Sequence, residues 1–417
     1  MITKKYNAII QMENICKNNK GDVFMEFEKF FIDKFFKKLS KETFTVAYWD
    51  NERRQYGRDL SKFTIVLNKP IPKYKILEDP YLAFGEAYMD GDIDFKGNLR
   101  QVLESVYKNE ESFLSTPNII KKISHIIPTS MHQQKEDIQY HYDLGNDFYK
   151  LWLDETMSYS CGYFEKENES LYEAQLNKIQ HILKKLQLKK GQRILDIGSG
   201  WGWLIIEAAK KYGVKSLGIT LSEEQYKKTK ERIKKDGLED LVDVKLMDYR
   251  HLADSDTKFD RIVSVGMVEH VGRASLNEYM ETIDKLLKPR GISLLHCITG
   301  QVESEVNEWI KKYIFPGGYI PSVRELVAMM PDYDFHLVDM ESLRLHYFKT
   351  LKKWAENFEG VIDQVRNMYD EKFIRMWRMY LNGCAASFHH GVIDVHQFLF
   401  TKGLNNDLPL TRKYLYK

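Results

Sequence analysis

The stretch RILDIGSGWGWLIIEAAKKYG (193–213) joins a short apolar run to a glycine-rich turn, then to an amphipathic run that closes on glycine. The run ending at Asp196 and Ile197 reads as a buried strand. Gly198, Gly200 and Gly202 read as a turn where the backbone can approach a ligand at the start of a helix. The spacing is GxGxG, not the GxGxxG of dinucleotide sites, and such a turn alone is equally a tight strand–helix connection. Its surroundings decide the matter. Upstream, the pattern predicts a helix over Tyr172–Leu186. Downstream, VKSLGIT (214–220), VDVKLM (242–247), FDRIVSV (259–265) and GISLLHC (291–297) are strand-like, with charged amphipathic stretches such as EEQYKKTKERIKKDG (223–237) between them. Strands alternating with helices predict an α/β fold with a doubly wound, Rossmann-like parallel sheet. FHLVDMES (335–342) and VHQFLFT (395–401) read as further strands.

In open sheets of this kind, ligands bind beyond the carboxyl ends of the strands. Polar or glycine-rich segments stand at five successive strand ends: Gly198–Gly202, Thr220–Gln225, Asp248–Tyr249, Glu269–His270 and His296. Any one of these is explained by a helix cap or a loop contact; the set points to a site.

The 417 residues exceed what one core usually serves, so two domains are expected: a smaller N-terminal one over 1–115, a linker over 116–139 and a larger one over 140–417. With 62 basic against 60 acidic residues, the net charge of +2 argues against a nucleic-acid partner. Cys16, Cys161, Cys297 and Cys384 are scattered without a CxxC pair, which fits free thiols and no metal site. No apolar run approaches the ~20 residues that span a bilayer. A cytoplasmic location is therefore expected, with any membrane contact peripheral, on the inner face. Two N-terminal features suit such contact: the stripe Phe24, Phe27, Phe31, Phe35 and Leu39 in 24–39, and the acid-free run KFTIVLNKPIPKYKIL (62–77) with Lys62, Lys69, Lys73 and Lys75. Core packing and a solvated strand face are the ordinary uses of both. FGEAYMDGDID (84–94) reads as a turn region.

The motifs HYDLGNDFY (141–149), YSCGYF (159–164), LDIGSGWGW (195–203), GITLSEEQ (218–225), FDRIVSVGMVEHVG (259–272), LLHCITG (294–300), KYIFPGGYIPS (312–322) and LPLTRKYLY (408–416) resemble the cyclopropane-fatty-acyl-phospholipid synthases and their relatives, the mycolic acid cyclopropane synthases. GEAYMDG (85–91) extends the likeness into the N-terminal domain. The resemblance implies an S-adenosylmethionine-dependent methyltransferase acting on unsaturated acyl chains of membrane phospholipids, as a homodimer. It places the cofactor at Tyr159, Ser160, Asp196, Gly198, Ser199, Gly200, Trp201, Gly202, Thr220, Leu221, Ser222, Gln225, Asp248 and Tyr249. Gln225 falls near the ribose, and Thr220 stands where a Rossmann acid is expected. A bound bicarbonate is implied at Cys161, Glu269, His296, the backbone of Ile298 and Tyr347. Cys384 matches a cysteine given an active-site role, though a thiol on a small-residue helix face is ordinarily packing. Ser199 and Val268 replace a common Cys and a common Phe.

The chemistry explains the set. An isolated alkene has no acidic proton, so the sulfonium methyl must be held in line with it. Aromatic faces such as Tyr163, Phe164 and Tyr347 would stabilise the cation left in the chain. Ring closure then needs a base within hydrogen-bond reach, and a gripped oxyanion supplies one. Relatives that leave methyl branches on lipids, or that methylate a small amine, are the alternative; an amine carries its own proton and would not need the bicarbonate set.

Overall fold

Asp79 and Pro80 open a helix where a turn is expected. In the computed structural model, which describes residues 22–38, 42–108, 144–303 and 306–416, the segment Pro80–Met89 is helical. The Asp79 side chain accepts from the Leu82 amide at 2.9 Å, and Pro80 takes the first helical position, where a missing N–H costs nothing. The turn begins only after Asp90. The linker expected over 116–139 lies outside the described residues.

The chain divides into two compact units, residues 1–120 with 370–379 and residues 121–369 with 380–417. In the first, strands β1 (Phe44–Ala47), β2 (Arg53–Tyr56), β3 (Thr64–Leu67) and β4 (Ile93–Lys96) form a sheet in the order β2-β1-β3-β4. Helix Asp22–Lys38 buries Ile32 and Phe36 in the same core as Phe44, Val46 and Ile65, with Phe31 and Phe35 packed against it. Phe31 and Phe35 of the aromatic stripe are thus core, while Phe30 stands out beneath the Lys34 ammonium; the side chains of Phe24, Phe27 and Leu39 lie outside what the structure describes. The basic run is not one strand either. β3 ends at Leu67, and Pro70 and Pro72 lead into helix Lys73–Glu78. Its charges are matched by acids from neighbouring elements: Lys62 meets Glu42 at 2.5 Å, Lys69 meets Asp92 at 2.6 Å and Lys75 approaches Glu86 at 3.7 Å.

The second unit is built on seven strands: β5 (Arg193–Ile197), β6 (Lys215–Thr220), β7 (Val242–Leu246), β8 (Phe259–Val265), β9 (Leu287–Gly300), β10 (Phe335–Ser342) and β11 (Ile393–Lys402). Their order is β10-β11-β9-β8-β5-β6-β7. β5 to β9 run parallel; β11 runs antiparallel between β9 and β10, a departure from the expected all-parallel sheet. Strand alternation splits the interior into two cores. Leu195, Ile197, Leu295 and Cys297 face helix Leu276–Leu286, whereas Ile194, Leu294 and Leu399 face helices Leu171–Leu186 and Trp203–Tyr212. The chain leaves β5 for β6 on one side and returns to β8 on the other. That reversal opens a crevice at the carboxyl ends of the strands.

Candidate active site

The crevice holds a cavity whose wall comes from four strand ends, those of β5 to β8, and from helices Leu171–Leu186 and Trp203–Tyr212. Gly198, Ser199, Gly200 and Trp201 follow β5; Thr220, Leu221 and Gln225 follow β6; Asp248 and Tyr249 follow β7; and Asp196, Tyr159 and Ser160 complete it. The turn after β5 is pinned by amides of Gly198 and Ser199, which donate to the Ile219 carbonyl at 3.0 and 2.9 Å. Gly198 has φ +80°, and a Cβ there would lie 2.8 Å from the Met267 side chain. Gly202 and Ser222 stand off the cavity wall. Gly202 abuts Thr229, and the Ser222 hydroxyl caps helix Glu223–Lys235 by accepting from the Gln225 amide at 3.3 Å.

Thr220 stands at the end of β6, where a Rossmann acid is expected. Its hydroxyl donates to Gln225 Oε1 at 2.7 Å, which fixes the amide and leaves Gln225 Nε2 as a donor at the cavity. Asp248 caps helix Tyr249–Ala253 and chelates Arg250, whose guanidinium holds it below the ordinary carboxylate range against the opposing effect of burial. The Tyr249 hydroxyl is buried without a partner among the described residues.

Two buried charged groups line the same cavity. Burial pushes the Asp196 carboxyl up to about 7, and its Oδ1 has no hydrogen-bond partner. Burial pulls Lys178 down to about 8; its Nζ donates to Ser160 Oγ at 3.0 Å. Lys178 is not picked out by the sequence motifs; His270, which also lines the cavity, falls in the Glu269–His270 strand-end segment but is given no role there.

One residue behind this wall lies a second, sealed group. Cys161 follows Tyr159 and Ser160; Glu269 sits between wall residues Met267 and His270; and His296 on β9 pairs with Val265 of β8, another wall residue. Glu269 Oε1 accepts from the Ile298 amide at 2.7 Å, so that amide is already occupied and is not free to hold an anion. Glu269 Oε2 is buried without a partner, and burial raises the carboxyl to about 7. His296 Nδ1 accepts from Gln397 Nε2 at 3.1 Å, which places the ring proton on Nε2; that nitrogen too is buried and unpartnered. Burial holds His296 down at about 3, hence neutral. The Cys161 thiol is pushed well up by burial and stays protonated at neutral pH. Burial raises the Tyr347 hydroxyl, and Tyr380, Cys161, Glu269 and Cys384 add to the shift, which places Tyr347 within reach of each of them. Cys384 is raised by burial to about 12, with no activating base bonded to it among the described residues.

The aromatic assignments change. Tyr163 is stacked between His181 and His346, at 4.2 and 4.7 Å, and Phe164 lies under Lys349. Both rings are engaged away from the cavity. The aromatic wall is instead Tyr159, at 5.1 Å from Trp354 and 5.6 Å from Trp152, with its hydroxyl 2.7 Å from that of Tyr380. Trp354 also meets Tyr347, at 6.0 Å.

Residues 129–398 match the family described as mycolic acid cyclopropane synthetase. The chain belongs to that family. Membership makes it an enzyme of the cyclopropane synthase class on a methyltransferase fold. Residues 31–118 match a domain of unknown function. Among similar proteins, the cyclopropane-fatty-acyl-phospholipid synthase of Escherichia coli is 39% identical over 387 residues, covering 87% of this chain and 97% of its own length. Cyclopropane mycolic acid synthase 1 of Mycobacterium tuberculosis is 34% identical and covers 66% of this chain. Of solved structures, a cyclopropane synthase of Mycobacterium tuberculosis superposes with a TM-score of 0.61 at 35% identity, covering 64% of this chain and 98% of that one. A mycolic acid cyclopropane synthase complexed with SAH and CTAB gives a TM-score of 0.60 at 34% identity, with the same coverage.

Proposed function

We propose that this chain uses S-adenosylmethionine to convert cis double bonds in phospholipid acyl chains into cyclopropane rings, with bicarbonate as the base. The observation that carries the reading is the buried polar group directly behind the crevice. Glu269 Oε2 and His296 Nε2 are buried and unpartnered, which is costly unless something small and polar completes them. A bicarbonate ion fits this set. His296 Nε2 and Tyr347 would donate to its oxygens, the Cys161 thiol could join them on turning from the Gly162 carbonyl that it meets at 3.3 Å, and Glu269 would accept its hydroxyl proton. Bound there, it supplies a base that can take a proton from the closing ring. The phospholipid substrate is favoured by coverage: the E. coli relative aligns with 87% of this chain, the mycolic acid synthase with 66%.

The residues divide the work. Gln225 Nε2 offers a donor for a ribose hydroxyl. Tyr159 lines the cavity, backed by Trp354, and its ring face would stabilise a cationic acyl carbon, at about 1–2 kcal/mol when desolvated. The buried thiol of Cys161 holds; it does not attack. Gln225→Ala is expected to weaken binding of S-adenosylhomocysteine about 10-fold, the worth of one buried hydrogen bond. Thr220→Val should shift it in the same direction, and unchanged isotherms for both would remove Gln225 from the site.

The deciding experiment is isotopic. With a trideuteromethyl donor and vesicles of unsaturated phospholipid, each product chain should gain one carbon and two deuterons, because one must leave on ring closure. Retention of all three shows a methyl-branched product instead. Reaching a chain in a bilayer also requires surface contact. The lysines being paired, the exposed Tyr74 and Leu77 on helix Lys73–Glu78 are the better contact, and vesicle co-sedimentation should persist in high salt but fall on Tyr74→Asp with Leu77→Asp. Salt-sensitive binding indifferent to that pair would return the role to the lysines.

A further inference from the structure

Across β9, β11 and β10 the register sets His296, Gln397 and Glu341 in one lateral row, on the same face of the sheet. Gln397 is fully buried, with Val395 and Leu399 before and after it on that face. An amide in such surroundings is costly, and this one is half satisfied. Its Nε2 donates to His296 Nδ1 at 3.1 Å, and its Oε1 has no partner among the described residues. Leucine would fill the place without that cost, so packing does not account for the amide.

The row's acid is engaged elsewhere. Glu341 meets His181 at 2.7 Å and Lys185 at 2.5 Å, both from helix Leu171–Leu186. Those three charges and that of Lys178 reach the His296 ring, yet the group in contact with Nδ1 is neutral. A neutral imidazole carries one proton, and a donor at one nitrogen puts that proton on the other. A carboxylate at position 397 would accept from Nδ1–H instead, leaving Nε2 bare once the pair gave up its extra proton. We propose that Gln397 is a positioning residue for the base: its amide keeps His296 in the Nε2–H form, so the ring meets bicarbonate as a hydrogen-bond donor and does not act as a base itself. The inference rests on the reading of bicarbonate as the base.

Two isosteric variants and one spectrum test it. Nitrogen NMR of the histidine-labelled full chain, with His296 assigned by the signal lost in His296→Gln, should show the Nε2–H form in wild type. Gln397→Glu should raise the bicarbonate concentration for half-maximal turnover about 10- to 100-fold, the range of a charge-assisted hydrogen bond. Gln397→Leu should raise it less, because the ring is then free to take either form. S-adenosylhomocysteine should bind both variants as it binds wild type. The Gln397→Glu requirement, taken relative to wild type at each pH, should fall in acid, where the shared proton restores the donor. Equal losses in the two variants, or a Gln397→Glu loss flat in pH, would show a merely structural amide and overturn the proposal. The wild-type spectrum decides even if a variant fails to fold, since an Nδ1–H ring in a bicarbonate-dependent enzyme overturns the proposal alone. Wild-type turnover indifferent to bicarbonate removes the base assignment itself, and the proposal with it.

Discussion

Glu269→Gln is expected to lower ring formation by about 10²–10⁴, the usual loss when a positioned catalytic hydrogen bond is removed, while S-adenosylhomocysteine still binds. The amide keeps an oxygen for the Ile298 N–H, so the fold around β9 survives. What it loses is the acceptor that orients the base. The same variant should be more stable in alkaline buffer. Burial raises the Glu269 carboxyl from 4.5 to about 7, so the fold takes up a proton that the unfolded chain releases. Its favourable contribution is complete below the unfolded value and is lost as pH rises through about 7, on the order of 3 kcal/mol in all. Gln does not titrate. The melting temperature of Glu269→Gln relative to wild type should therefore climb between pH 5 and pH 8, and a difference flat in pH would show the carboxyl to be solvated. Bicarbonate titration in degassed buffer completes the test: wild type should slow as bicarbonate is withdrawn, and Cys161→Ser should need more of it. A wild-type rate indifferent to bicarbonate, with Cys161→Ser dead, would make the thiol the reactive group.

Gly202→Ala is expected to destabilise the larger unit by about 3 kcal/mol or more, because two independent costs coincide. The residue has φ +83°, where a side chain is disfavoured, and an added Cβ would lie 2.3 Å from the Thr229 methyl on helix Glu223–Lys235. That helix position is not the end of a flexible side chain and cannot swing aside. Donor binding should fall with stability, since the turn from Gly198 to Gly202 carries Ser199 and Trp201 into the cavity. Adding Thr229→Ala removes the steric share and leaves the backbone share. Thermal melts of the single and double variants should thus show partial recovery. Full recovery would mean the positive φ costs nothing here; no recovery would mean the contact was never limiting.

The seven strands of the larger unit are legible because short apolar runs, several of them continuous since both faces are buried, end on glycine or polar punctuation, and the cavity wall follows from where those runs stop. The N-terminal unit is less legible. Gly85 and the Asp90–Gly91 pair draw attention from the stronger local signal, Asp79 followed by Pro80. Lysine pairing is invisible in a window of sequence, because Glu42, Asp92 and Glu86 arrive from other elements. Lys178 hides for another reason. Lysines on an amphipathic helix ordinarily cover its wet face, and nothing in LYEAQLNKIQHIL (171–183) marks this one as inward. Gln397 is equally silent, since its role depends on a register with His296 that only the sheet supplies.

That register has a bearing on when the enzyme becomes active during its own synthesis. Gln397 lies on β11, which enters the sheet between two strands made long before it. Until β11 has left the ribosome, His296 has no neighbour to set its proton and β9 keeps an open edge. A chain halted before Ile393 is expected to be chemically mute even where its glycine turn already grips a nucleoside. Synthesis order would then act as a safety catch on an enzyme that, on the proposed function, modifies the membrane of the cell that makes it.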